Sequence, residues 1–264
     1  MTRIRPRSLA LGLPAVVGLA FVAVPLAAML VRVPWSSAVD IVGSHTVRTA
    51  LWLSLQTSVP AALVSTILGV PLAWWLAHAS GIRARIVRVV CIAPMVMPPV
   101  VGGIALLSAF GRNGVVGQWL WDWWGVTIPF TRMAVVMAQV FVAMPFLVLT
   151  AESAFRQDGA ALEEAARTMG AGPVRVFFRV ALPAVLPAVL AGTLLAWARA
   201  IGEFGASITF AGSFPGRTQT LPMAVYELLS IDHRQSMVVA LLLVLVSFLV
   251  LGLMRERWLF GGTR

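Results

Sequence analysis

The sequence predicts an all-α integral membrane protein with six transmembrane helices. Three observations carry this reading. Hydrophobic residues make up 59% of the 264 residues and charged residues only 11%, against about 25% charged in an ordinary soluble chain. Apolar runs near or above ~18 residues recur, each long enough to cross ~30 Å of hydrocarbon. The arginines stand at the ends of those runs, so the net charge of +10 reads as a topology signal and not as a nucleic-acid surface. All 20 Lys and Arg positions are arginine, a composition bias from which no chemistry follows.

The first helix is predicted over residues 9–31, behind Arg3, Arg5 and Arg7. A cleaved signal peptide is the competing reading. The apolar part exceeds the ~7–15 residues such peptides carry and no small-residue cleavage site follows, so we read a retained helix ended by Val33-Pro34-Trp35. Residues 36–48 form a short polar connection. The second helix spans 49–79, with kinks expected at Pro60 and Pro71 and with Trp74 and Trp75 near its end, where indoles prefer the bilayer interface. A basic turn, 81–88, carries Arg83, Arg85 and Arg88.

The third helix is predicted over 89–110, interrupted by Pro94, Pro98-Pro99 and Gly102-Gly103. Such breaks release backbone groups that must find partners in protein or water. Pro98, Pro99 and Gly102 are therefore either a pore-lining kink or one that improves packing. Residues 111–131 hold Trp119, Trp121, Trp123 and Trp124 and are predicted to lie in the membrane interface. The fourth helix covers 132–151, with Pro145 inside. The fifth is predicted over 184–210, an outer loop over 211–234, a sixth helix over 235–254, and a short basic tail over 255–264.

Between the fourth and fifth helices lies a polar, basic island. Ala, Glu, Arg and Met are good helix formers, so residues 162–169 read as a short helix. Gly170 supplies a left-handed stop, and Gly172-Pro173 prevents continuation. A second short helix is predicted over 174–180, before Pro183 and Pro187. Helix, glycine break and helix make a knob that another protein could grip. Thirteen arginines fall on the face holding the termini and the island, against six on the other, with Arg199 intramembrane. That bias places the island and both termini in the cytoplasm.

Enzyme constellations are missing from the sequence. His45, His78 and His233 stand at no metal-ligand spacing from one another or from Cys91, so no metal site is expected. Cys91 reads as a small buried apolar residue. Neither a GxxxxGK phosphate loop nor a GxSxG elbow is present, and no catalytic residue is assigned. Energy for active transport must then come from a partner or an ion gradient. Glu203 is the one acidic residue clearly within a span, with Glu152 near a helix end, which is thin for proton coupling. A proton-coupled secondary transporter depending on Glu203 remains the alternative of a different class.

Two motifs carry a resemblance. Glu164-Ala165-Ala166, three residues, Gly170, nine residues, then Val180-x-Leu182-Pro183 resembles the EAA loop of type I ABC importer permeases, which usually have Ile where Val180 stands. The stretch Ala198-Arg199-Ala200-Ile201-Gly202-Glu203-Phe204-Gly205-Ala206, followed by Phe210-Ala211-Gly212 and Pro215-Gly216-Arg217-Thr218-Gln219-Thr220-Leu221-Pro222, resembles the oxyanion branch of that family: molybdate, tungstate and sulfate permeases. Met97-Pro98-Pro99-Val100-Val101-Gly102-Gly103 and Phe110-Gly111-Arg112-Asn113-Gly114 are similar to the same branch. The island's wording is most similar to the molybdate-transport permeases. The resemblance covers roughly residues 46–250, read as the permease domain between an N-terminal segment with the first helix, 1–45, and a tail, 251–264.

The resemblance implies the type I importer fold, with the island as a cytoplasmic coupling helix seated in a groove of an ATPase subunit. Glu163, Glu164, Ala165, Ala166 and Gly170 would make that coupling. Small Ala165 and Ala166 allow close approach, and Glu164 would pair with a basic residue of the ATPase or with Arg167 on its own helix. For Glu163 and Glu164 the plain alternative is a solvated helix N-terminus favoured by the dipole. Two copies of the chain would form one pore over an ATPase dimer that holds ATP and Mg, with no cofactor in this chain. An extracytoplasmic molybdate-binding protein would deliver the substrate, and a sulfate/thiosulfate permease is the nearer alternative. Arg199 and Glu203, four residues apart, are expected to pair, since lone intramembrane charges are expensive. The pair is either a clasp orienting the fifth helix or a source of positive potential along a dianion pathway.

Overall fold

The computed structural model describes residues 9–253, and every regular element among them is helical. Arg3, Arg5, Arg7 and the basic tail 255–264 lie outside the described residues. Among the described residues, four helices are long and apolar enough to cross a membrane unaided: Gly12–Arg32, His45–His78, Arg132–Gln157 and Pro173–Ile201.

Helix α1, Leu9–Arg32, carries Pro14 and Pro25 and stays helical through both. From Leu13 to Val31 it exposes its apolar side chains; a helix apolar all round and unburied by its own chain suits lipid. It joins the rest at its end, where Met29 and Val33 pack with Val238 and Leu241. The polar connection predicted over 36–48 is instead helical. Helix α2, Trp35–Gly43, lays Ala38, Ile41 and Val42 on that same cluster. These apolar positions recur at helical spacing, a period hidden beneath the serines.

Helix α3, His45–His78, is N-capped by Ser44, whose hydroxyl accepts the Val47 N–H. It is the central post. Ala61, Ser65, Gly69 and Ala73, every fourth residue, are buried, a small-residue stripe that lets helices approach closely. Helix α7, Arg132–Ala154, lies against it. Arg132 meets Gln56, Val148 meets Gly69, and Arg156 meets Leu76; the pairs advance together, so the two helices run parallel. A Cβ on Gly69 would stand 3.2 Å from Val148 Cγ2.

The island is formed by α8, Ala160–Thr168, reached from α7 through a π-helical turn, Phe155–Gly159. Gly170 has φ +84°, and its N–H and that of Ala171 bond back to Arg167 and Ala166 carbonyls. This is the left-handed stop the sequence predicts. The separate second island helix and a fifth helix starting at residue 184 are not found. Helix α9, Pro173–Val176, runs through a second π-helical turn, Phe177–Ala181, straight into α10, Leu182–Ile201. Proline lacks an N–H and crowds the preceding turn, and the wider π register beside Pro183 accommodates it without a break. Helix α10 is antiparallel to α3, with Ser58 meeting Trp197 and Thr66 meeting Thr193.

The fifth helix also ends sooner than predicted. Gly202 closes α10, and after Glu203 and Phe204 a short helix α11, Gly205–Ala211, begins. The third helix is likewise two pieces. Helix α4, Gly81–Val96, carries Pro94 within it, and α5, Pro99–Phe110, starts after Met97-Pro98. Helices α5 and α11 pack face to face, which their glycines permit. A Cβ on Gly103 would lie 2.6 Å from Thr209 Cβ, and one on Gly205 would lie 2.5 Å from Pro99 Cβ.

Two predicted loops contain helices. Helix α6, Gly117–Trp124, leaves Trp119, Trp123 and Trp124 well exposed, while Arg112 covers the ring of Trp121 at 4.0 Å. Within 211–234, the chain turns back into the bundle, burying Thr218, Gln219 and Thr220. It then forms α12, Leu221–Ile231. The Leu221 N–H bonds Ser54 Oγ at 2.8 Å. Helix α13, His233–Leu253, returns beside α12, with Ser236 bonded to the Val225 carbonyl.

Candidate functional site

The sequence-predicted residues fall into two groups on different parts of the bundle. The first is the island. Helix α8 divides its residues between two faces. Glu164, Ala165 and Gly170 are exposed, with Leu162 and Met169 also open at 54% and 81%. Glu163 and Ala166 face inward and are buried, Glu163 to 2%. The solvated reading of Glu163 is therefore not what the structure has. Its carboxylate accepts the Trp74 indole N–H at 3.2 and 3.3 Å and stands 2.9 Å from His78 Nε2 and 3.3 Å from Arg167 Nη2. The pairing of Arg167 with Glu164 is corrected to Glu163, which the half-exposed Arg167 side chain reaches at i,i+4.

A second polar cluster lies at the same end, and of its contacts spacing shows only the i,i+4 pair of Glu152 and Arg156. Glu152, near the end of α7, holds Arg88 of α4 at 2.6 Å and Arg156 of the π turn at 3.0 Å. Both guanidiniums also reach the Leu76 carbonyl, at 3.4 and 2.9 Å. The last turns of α3 are thus gripped twice, by the Glu163 group through Trp74 and His78 and by the Glu152 group through Leu76. Partners 64 to 89 residues apart leave no local signal; the sequence trace was only that Glu152, Trp74 and His78 sit near the same ends of spans.

The second group lies at the helix breaks. Arg199 Nη2 is 2.7 Å from Glu203 Oε2. Glu203 is placed in the break between α10 and α11, not within a helix as predicted, and is 1% exposed. Its other oxygen accepts the Ala206 N–H at 2.9 Å, satisfying one of the donors a helix start leaves open. Pro98, Pro99 and Gly102 line a cavity of about 130 Å³ together with Arg199, Met97, Phe141 and Phe146. The sequence treated the proline break and the charged pair as separate features; the fold brings them to one place. The cavity sets one guanidinium, neutralised by one carboxylate, against apolar and proline walls.

Known proteins share both sequence and fold with this chain. Residues 69–258 match the family described as binding-protein-dependent transport system inner membrane component. The molybdenum transport system permease protein ModB of Mycobacterium tuberculosis is 46% identical over 238 residues, covering 90% of each chain. ModB of Escherichia coli K12 is 39% identical over 210 residues, 80% of this chain and 92% of that one. Among solved structures, a bacterial alginate ABC transporter in complex with its pentasaccharide-bound periplasmic protein superposes with TM-score 0.73 at 16% identity, covering 94% of this chain and 92% of that one. The inward-facing MetNI methionine ABC transporter gives 0.62 at 21% identity, over 83% and 96%. The chain shares the overall fold of these transporter chains. The chain is a multi-pass membrane protein and belongs to the family of binding-protein-dependent transport system inner membrane components.

Proposed function

We propose that this chain is the membrane-spanning permease of an ATP-driven importer of molybdate, with tungstate as a close substitute. The identity to molybdenum permeases along 90% of both chains carries the substrate reading. The exposed face of α8 supports the partner reading. Leu162, Glu164, Ala165 and Met169 present an apolar and acidic ridge at the end of a short rigid helix, suited to a groove on an ATPase subunit that holds ATP and Mg. Glu164 pairs there with a basic residue, and Gly170 sets the turn behind it. The island and both termini are cytoplasmic by the arginine bias.

Two copies of the chain surround one pathway, one coupling helix for each ATPase subunit. ATP binding draws the ATPase subunits and the coupling helices together, and the helices of the bundle open outward to a docked extracytoplasmic binding protein. ATP and substrate must each favour one of the two states for this to work. Arg199, tempered by Glu203, offers the dianion a passing contact at the level of the Pro98-Pro99 break. Selectivity rests mainly with the binding protein.

Uptake of radiolabelled molybdate in cells lacking and then regaining this chain tests the reading, with sulfate in large excess as competitor. Restored uptake indifferent to sulfate is expected. Uptake abolished by sulfate moves the assignment to a sulfate/thiosulfate permease. Uptake that persists without any ATPase subunit and follows the proton gradient selects the secondary transporter.

A further inference from the structure

We propose that Glu163 is a positioning residue that fastens the coupling helix α8 to the last turns of α3, with Trp74 and His78 as the side chains it holds there. The inference rests on the importer reading above and names the joint through which α8 moves the bundle.

The geometry is specific. Glu163 is the buried acidic residue of α8 and its carboxylate is met by three nitrogen-bearing side chains, two of them from α3: the Trp74 indole and the His78 ring. Trp74 is itself packed on Phe177 at 5.1 Å between ring centroids, so the joint touches the π turn that leads into α10 as well. Its face toward the ATPase side is different. Glu164 and Ala165 are exposed, so the residues that meet a partner and the residue that meets α3 are neighbours on opposite faces of one short helix. A push on the exposed face has a direct route into α3 through Glu163.

His78 ties α8 to its own helix. Its Nδ1 faces the Trp74 carbonyl at 2.8 Å and its Nε2 faces Glu163 Oε2 at 2.9 Å. The ring therefore lies between a main-chain carbonyl of α3 and the carboxylate of α8. The charged groups around it are Glu163, with Arg167 sharing that carboxylate on α8, and the Arg88–Glu152–Arg156 cluster on the neighbouring Leu76 carbonyl.

The test is molybdate imported per ATP hydrolysed by proteoliposomes holding this chain with its ATPase subunit and binding protein. His78→Gln and Glu163→Gln should lower that ratio by at least about fivefold while hydrolysis continues. His78→Arg, which keeps N–H donors beside Glu163, should hold the ratio near that of the unsubstituted chain. Equal loss of import and hydrolysis, with the ratio constant, would make the joint merely structural and overturn the inference. So would an unchanged ratio in all three variants. No import by the unsubstituted complex overturns the importer reading and takes this inference with it.

Discussion

Arg199 and Glu203 form an ion pair that spans a helix break, with Nη2 of one 2.7 Å from Oε2 of the other and the second Glu203 oxygen capping α11. One carboxylate therefore holds the ends of two helices. Arg199→Gln leaves that buried carboxylate without its cation, and we expect a loss of about 2–3 kcal/mol, less than a fully buried pair would cost because Arg199 is partly exposed. Thermal unfolding in detergent measures it. The double variant Arg199→Gln with Glu203→Gln should regain most of the stability, since the glutamine still accepts the Ala206 N–H. If its uptake also returns, the pair is a clasp; stability without uptake assigns Arg199 to the pathway.

Gly170 tests the island turn. With φ +84° and no atom within 4 Å of a would-be Cβ, substitution there costs backbone strain of about 1–2 kcal/mol and no collision. Gly170→Val should leave the protein inserted yet lower uptake more than about tenfold, whereas Gly170→Asn, which tolerates the left-handed region, should retain most of it. Membrane level by immunoblot beside uptake separates the two effects. Normal uptake by a well-expressed valine variant would sink the coupling role of this turn.

Gly205 tests the packing of α5 on α11. A Cβ there meets Pro99 at 2.5 Å, and the proline ring cannot swing aside. Gly205→Ala should destabilise the chain by about 1–3 kcal/mol through overpacking. Gly172→Ala, which meets nothing within 4 Å, is the control and should leave the unfolding temperature nearly unchanged.

Glu152 holds two guanidiniums that also share one carbonyl. Glu152→Ala leaves like charges together with no counter-ion, and unfolding should come at least about 2 kcal/mol earlier. Arg156→Ala should cost less, about 1 kcal/mol or below, since Arg156 is half exposed and Arg88 keeps the carboxylate paired.

What was legible in the sequence followed from period and punctuation. The apolar runs located the long helices, Gly170 its left-handed turn, and Pro98-Pro99 a real break. Helices α2, α6 and α12 were hidden because each is short and sits where serines, tryptophans or turn residues dominate the local pattern. Pro183 was misleading: a proline normally ends a helix, and nothing local announces a π turn that absorbs it. Glu203 was read into the helix because four-residue spacing from Arg199 fits a helical face equally well when the helix stops at Gly202. Of the candidate site, the outward half of the island was readable from its motif. The inward half was not, since Trp74, His78 and Glu163 are joined only by folding.

The segment that turns back before α12 changes what an outside observer would find. Between Ala211 and Arg234 the sequence reads as one outer loop, yet before the far turns of α12 only Phe214 to Arg217 are open. A protease or an impermeant label would find two separate openings, a tip of four residues and the far end of α12, where one continuous loop is written. Reporter fusions placed at Thr218 to Thr220 would interrupt the interior and mark the protein as misfolded, while fusions at Gly216 would read as a tolerated surface. Topology maps drawn from such fusions would thus place a boundary inside what is one continuous excursion of the chain.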